Sequence, residues 1–344
     1  MIRNDSGRRA SIGIPRALGH YHFRGLWEAF FTALGHPVIV SHPTDRKVLD
    51  AGCSLAPGEA CLPIKCFVGH VLQLAGQADC VFIPRLVCLR IDPRIKMSCP
   101  KLIGLPDMIR ALCPGIRILS VDVDLRREEE AVSFARMGTQ LGHEAYEVDR
   151  AYRAAVASRS GAWKPPRPSG PTAPPASQAS EPPTSPAAGQ PVPAAARPPA
   201  PLAAGPRIGL LGHPYLLDDP YLGMDLAQKL RRMGCSILCA RDLPVPLIES
   251  QRETFEPVSW FFEEEILCAA SAMLREHLVD GLVHLLSFGC CAGSITSELI
   301  ELEIRNGGPV PVMRVIIDEQ TGDAGLMTRL ESFADMLDLR RRTR

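Results

Sequence analysis

Ser11-Ile12-Gly13-Ile14-Pro15-Arg16 and Arg207-Ile208-Gly209-Leu210-Leu211-Gly212 share one pattern: a short apolar run that breaks at a Gly or Pro loop. Each reads as a buried strand running into a loop. A helix is expected after each, over 23–34 and over 223–233. Each ends at a glycine, Gly35 or Gly234, where a left-handed residue closes a helix. Each glycine leads straight into a second apolar run, over 37–40 and 236–239. That is a βαβ unit used twice.

The parallel continues downstream. Asp79-Cys80-Val81-Phe82-Ile83-Pro84-Arg85 matches Asp280-Gly281-Leu282-Val283-His284-Leu285-Leu286-Ser287, and further strands are expected over 116–121 and 310–317. Strands that alternate with helices imply a parallel sheet covered on both faces. The expected fold class is α/β, with two Rossmann- or flavodoxin-like parallel-sheet domains and a cleft between them. Ligands of such sheets sit beyond the carboxyl ends of the strands.

Between the two patterns, residues 163–206 are dominated by Pro, Ala, Ser and Gly. Such a stretch lacks the large apolar side chains a core needs and reads as a disordered linker. It divides the chain into an N-terminal α/β domain, 1–162, and a C-terminal α/β domain, 207–344. With 344 residues, 46% of them hydrophobic and 22% charged, the chain has material for two packed cores. Lys plus Arg equals Asp plus Glu, at 38 each, so no general positive field draws nucleic acid. No apolar run reaches the roughly 20 residues that a bilayer requires. The first ten residues are polar and charged, which predicts a chain that stays in the cytoplasm.

Twelve cysteines are many for a reducing compartment, where disulfides are rare. No Cys-x-x-Cys pair occurs, so any metal site must gather ligands from far apart. Cys61 precedes Leu62-Pro63, which fits a helix start. Cys99 stands in Ser98-Cys99-Pro100, and Cys290 ends an apolar run before a small-residue turn and a helix expected over 295–304. All three fall on loops at the ligand-binding edge of the expected sheets. A helix N-terminus favours a thiolate, and soft thiolates suit cluster iron. The plainer reading makes each cysteine a small buried hydrophobe, and it is preferred for Cys53, Cys66, Cys80, Cys88, Cys113, Cys235, Cys239 and Cys268. Zinc held by three cysteines with His70 or Cys291 is a further alternative.

Several motifs, taken in order, point to one family. They are Ile12-Gly13-Ile14-Pro15-Arg16, Glu59-Ala60-Cys61-Leu62-Pro63-Ile64-Lys65, Ile83-Pro84-Arg85 and Cys99-Pro100-Lys101 with Gly104-Leu105-Pro106-Asp107. In the second half they are Gly212-His213-Pro214-Tyr215, Ser287-Phe288-Gly289-Cys290 and Asp318-Glu319-Gln320-Thr321-Gly322-Asp323-Ala324-Gly325. Together they resemble the acyl-CoA dehydratase activase-related family, itself similar to 2-hydroxyacyl-CoA dehydratase subunits and double-cubane cluster proteins. The resemblance implies a [4Fe-4S] cluster between two Rossmann-like domains, held by Cys61, Cys99 and Cys290. Three protein ligands leave one iron open, so a bridged double-cubane cluster across a homodimer is one arrangement it implies. Cys291 is a substitute third ligand, because the residues after Cys290 depart from the family pattern. Gln320 stands where the family usually has histidine, which removes a proton donor.

Around the cluster, Arg16, Lys65, Arg85 and Lys101 are expected to offset the charge of ligated thiolates. Glu59, Asp318 and Glu319 complete the candidate cleft set, with Asp318, Glu319 and Asp323 expected to cap a helix or to hold a cation. His20, Tyr21 and His22 are expected to pack a loop at the same sheet edge, with lining a substrate pocket as the alternative. The function implied is low-potential electron transfer or a reductase component. Its electron would come from a separate ATP-dependent activase, since the sequence has no phosphate-binding loop of the Walker type. The alternatives are an acyl-CoA dehydratase or reductase acting at the open iron, and a non-catalytic scaffold or zinc-binding module.

Overall fold

A computed structural model of the chain describes residues 8–23, 25–92, 94–158, 205–252, 258–307 and 310–343. The expected linker, 163–206, lies outside the described residues except for Gly205 and Pro206. Eleven strands occur among the described residues. In the first half they are β1 (Ile12–Ile14), β2 (Val38–Val40), β3 (Cys80–Phe82), β4 (Arg85–Arg90), β5 (Lys96–Met97), β6 (Ile118–Leu119) and β7 (Asp122–Asp124). In the second half they are β8 (Arg207–Leu211), β9 (Ser236–Cys239), β10 (Gly281–Ser287) and β11 (Val312–Ile317).

Two four-stranded sheets share one topology. The first runs β2-β1-β3-β6 and the second β11-β10-β8-β9. All their pairings are parallel. Numbered within each half, both read 2-1-3-4, the flavodoxin-like order. The first helix of each half ends in the same way. Gly35 has φ 77° and Gly234 has φ 83°. In the first, Gly35 N–H donates to Thr32 O and His36 N–H to Phe31 O; in the second, Gly234 N–H donates to Arg231 O and Cys235 N–H to Leu230 O. That is one Schellman closure made twice. The helices themselves, Leu26–Ala33 and Leu226–Arg232, begin three residues later than expected. Gly25 and Asp225 take left-handed backbone at those positions and delay the start.

A third, small sheet was not expected. β4 pairs with β7 in parallel and with β5 antiparallel. Met97 on β5 bridges to Trp260 of the second half, its N–H donating to Ser259 O at 2.8 Å. Behind it, Lys96 Nζ lies 2.8 Å from Glu264 Oε1, and Arg90 pairs with the same carboxylate. All three side chains are buried. A second link is apolar: Val48, Leu49, Leu62 and Cys66 of the first half join the core under β8, β10 and β11. The helices Arg46–Leu55 and Leu62–Leu74 reach that position by close contact. A Cβ at Gly52 would stand 1.8 Å from Lys65 O, and one at Gly69 1.9 Å from Val48 O. No helix among the described residues is long and apolar enough to cross a membrane.

Candidate functional site

Cys61 is the N-cap of Leu62–Leu74, with φ −65° and ψ 153°. Cys99 is the N-cap of the short helix Pro100–Ile103, with φ −67° and ψ 153°. In both, a proline within the first two helical positions fixes the start and leaves no N–H of its own unpaired. Cys290 immediately precedes the helix Cys291–Gly307, and Gly293 N–H donates to its Sγ at 3.4 Å. Three helix N-termini therefore carry the three thiols, which is where backbone N–H groups and the helix dipole favour negative sulfur.

The three loops also meet. Gly289, with φ 74°, backs onto Cys61: its Cβ direction runs 3.6 Å from Cys61 Cα. Leu62 N–H donates to Ser287 Oγ at 3.1 Å, and Lys101 Nζ donates to Gly289 O at 3.1 Å. The electrostatics report the same convergence. Burial first, then the charges of Glu263, Cys61 and Cys99, push the Cys290 thiol up to about 12. Burial first, then Glu263 and Cys61, raise the Cys99 thiol. Cys61 is buried, Cys99 and Cys290 are half-buried, and Cys291 beside them is exposed. All twelve cysteines are free thiols.

The three thiols are not gathered as closely as one tetrahedral ion requires. A single tetrahedral zinc on cysteines keeps its sulfurs roughly 3.8 Å apart. Among the described residues, the set whose ligand atoms all lie within 4.8 Å of one another is Cys66, His70 and Asp219, not the three cysteines. His70 thus belongs to a different group from the one with which the zinc alternative associated it.

The sequence reading missed Glu263. It lies on the helix Phe261–Arg275, is 2% exposed, and accepts from His213 Nε2 at 3.0 Å. His213 stacks on Tyr215, their ring centroids 4.8 Å apart. Burial, then the charges of Cys290, Cys99, Glu263 and Cys61, hold the Tyr215 hydroxyl well above its ordinary value. The available signal was the run Glu263-Glu264-Glu265 inside an otherwise apolar helix. Three consecutive acids on a helix with buried faces require buried partners.

The other candidates divide. Lys101 lies at the cysteine loops, as above. Arg85 caps the helix that follows Cys99, donating to Ile103 O at 2.8 Å, and pairs with Asp107 and Asp122. Lys65 is buried and pairs across the halves with Glu319 at 2.6 Å. Glu59 is exposed. Asp318 accepts from Gln320 N–H and Thr321 Oγ1, so it ties the loop. The N-cap of the helix Asp323–Arg342 is Gly322, without a side-chain cap, and Asp323 pairs with Lys229. Tyr21 and His22 do more than pack a loop: Tyr21 Oη donates to Asp219 at 2.9 Å, and His22 packs edge-on to Phe261 and Phe262.

A cavity of about 1050 Å³ lies beyond the carboxyl ends of β2 and β11. Arg16, Tyr21, Thr44, Leu62, Lys229 and Glu319 are among the side chains that line it. Leu62 follows Cys61 directly, so the cavity and the cysteine loops are neighbours.

The family described as the CoA enzyme activase uncharacterised domain (DUF2229) matches residues 11–243. The chain belongs to that family. The match takes in Cys61 and Cys99, the whole first sheet and the strands β8 and β9, whereas Cys290 and Glu263 lie beyond it. No curated protein matches the chain significantly. Membership of this CoA enzyme activase-related family agrees with the resemblance read from the motifs.

Proposed function

We propose that Cys61, Cys99 and Cys290 are the protein ligands of a [4Fe-4S] cluster, and that the chain is a low-potential electron-transfer or reductase component of an acyl-CoA dehydratase type of system. A separate ATP-dependent activase would reduce it, in the cytoplasm. The observation that carries this reading is the convergence of three free thiols, from both halves of the chain, at three helix N-termini. The family description, which names a CoA enzyme activase, supports the choice of system.

Such a cluster supplies one-electron chemistry at a potential set by its surroundings. The chain's own residues would do the rest. Gly293 N–H donates to the Cys290 sulfur, and Lys101 holds the Gly289 carbonyl and places a positive charge beside the site. Tyr215 and Phe262 pack around His213 and limit water on one side. With three cysteine ligands, the fourth position would be left to a substrate or to a bridge with a second copy in a homodimer. The neighbouring cavity of about 1050 Å³ favours the substrate, and with it the reading as a dehydratase or reductase acting on an acyl-CoA.

Anaerobic reconstitution tests the proposal. The expected result is a coloured protein containing iron and sulfide, with an EPR signal after strong reduction. Replacing Cys61, Cys99 or Cys290 singly by Ser should remove most of the iron, and Cys291→Ser should not. A colourless, iron-free protein after reconstitution would overturn the reading. Reduction by an added ATPase activase would then separate electron transfer from turnover of an acyl-CoA.

A further inference from the structure

Cys66 and His70 stand one turn apart on the helix Leu62–Leu74, so both face the same way. They face Asp219 of the second half. The ligand atoms of the three lie within 4.8 Å of one another, and all three residues are buried, at 0%, 0% and 1% exposure. Sulfur, imidazole nitrogen and carboxylate oxygen together are a donor set suited to zinc.

Two of the three donors are aimed by a second contact. His70 Nδ1 lies 2.9 Å from Ser41 Oγ, which in turn accepts from Arg16 N–H at 2.7 Å. That leaves Nε2 for the centre of the group, the usual arrangement of a ligating histidine. Asp219 Oδ1 accepts from Tyr221 and Leu222 N–H, both at 3.0 Å. That leaves Oδ2 for the centre, where Tyr21 Oη supports it at 2.9 Å.

Thr44 Oγ1 contacts all three donors. It lies 3.0 Å from His70 Nε2 and 3.8 Å from Cys66 Sγ, and it donates to Asp219 Oδ2. A hydrogen-bond relay from Arg16 to Asp219 would account for Ser41, His70 and Thr44. In that relay Cys66 would serve only as a core side chain and a weak partner of Thr44. Thr44 and Tyr21 also line the cavity of about 1050 Å³, so the group borders that cavity. Three protein ligands with an exchangeable fourth position are the pattern of a catalytic rather than a structural zinc.

We propose that Cys66, His70 and Asp219 bind one Zn²⁺ that joins the two halves of the chain and presents an open coordination position to the cavity. The site is distinct from Cys61, Cys99 and Cys290, and either can fail without the other. The test uses the full chain carrying Cys61→Ser, Cys99→Ser, Cys290→Ser and Cys291→Ser together, so that the proposed cluster thiols and the exposed Cys291 cannot contribute. Titration with Zn²⁺ should load one ion per chain and raise the melting temperature. Co²⁺ in its place should give tetrahedral visible bands and a thiolate charge-transfer band. His70→Gln and Asp219→Asn should each weaken Zn²⁺ at least tenfold, with circular dichroism confirming the fold. No Zn²⁺ uptake, Zn²⁺ affinity unchanged by both variants, or a Co²⁺ spectrum without the thiolate band would overturn the proposal. The Co²⁺ spectrum needs no change among the three proposed ligands, so it decides the matter even if His70→Gln and Asp219→Asn unfold.

Discussion

The two halves have one sheet order and one first-helix closure, yet they contribute unequally to the cysteine site. In each half a connection leaves the third strand and reaches a cysteine at a helix N-terminus. In the first half that cysteine is Cys99, after β3; in the second it is Cys290, after β10. The helix that leads into the third strand differs. Leu62–Leu74 presents Cys61 at its start, and its counterpart Phe261–Arg275 presents Glu263 near its start. Duplicated architecture thus gives two equivalent corners, each able to aim a side chain at the same point. One corner holds a thiol, and the other holds a carboxylate paired with His213.

The largest test of this comparison concerns what holds the halves in register. Glu264 sits one residue beyond Glu263 and neutralises Lys96 and Arg90 of the small third sheet, which has no counterpart in the second half. Glu264→Gln leaves two buried cations facing an amide. Removing one member of a buried ion pair costs about 3–5 kcal/mol. Urea unfolding at neutral pH should show a loss of that size. A loss near zero would mean that the Met97–Trp260 bridge and the apolar contacts carry the junction alone.

The ease of reading this fold from its sequence follows the same division. Both parallel sheets and both closing glycines were legible, because each depends on residues within a few positions of one another. The third sheet was not. Nothing within Arg85-Leu86-Val87-Cys88-Leu89-Arg90 or around Lys96 signals that Arg90 and Lys96 are buried. Both Arg90 and Lys96 are buried because Glu264 meets them from more than 160 residues away. No local pattern encodes that partner. Asp219 is a similar case. Cys66 and His70 announce a shared helix face, but nothing in Asp218-Asp219-Pro220 announces that Asp219 will face them. Cys61, Cys99 and Cys290 were nameable because proline or small residues follow each at a helix start, which is again a local signal.

A smaller effect distinguishes the halves by pH. Each half buries a neutral histidine: His70 in the first, held down to about 4, and His284 on β10, held down to about 3, both chiefly by burial. An unfolded histidine takes up a proton near 6.5, whereas these two resist it in the folded state. Their contribution is therefore complete above pH 6.5 and is lost as the pH falls toward 4. By pH 5 each should cost about 2 kcal/mol of stability relative to neutral pH. Urea midpoints at pH 7 and pH 5 measure this. His284→Gln and His70→Gln should each remove its own share of the acid sensitivity, leaving the share of His36 and the paired carboxylates. If bound Zn²⁺ holds His70 unprotonated, adding Zn²⁺ should flatten only the share that belongs to His70.

The smallest expected effect goes to the corner where the halves differ. Of the charges that raise the Cys290 thiol, Glu263 comes first, ahead of Cys61 and Cys99. Glu263→Gln removes that charge while keeping the shape and a partner for His213. A thiol raised by a neighbouring carboxylate must fall when the carboxylate is neutralised. The thiolate fraction of Cys290 below its midpoint then rises, and alkylation by iodoacetamide should speed up several-fold at pH 8 in the metal-free chain. Peptide mass spectrometry can follow Cys290 separately from Cys291, which is exposed and should react first and at an unchanged rate. The sign of the result is informative in either direction. A faster Cys290 means that the carboxylate corner opposes a bare thiolate, so the cysteine site favours a ligated, charge-compensated sulfur over a free one. An unchanged rate would mean that burial alone sets the thiol, and that the carboxylate at the counterpart of Cys61 serves only to hold His213.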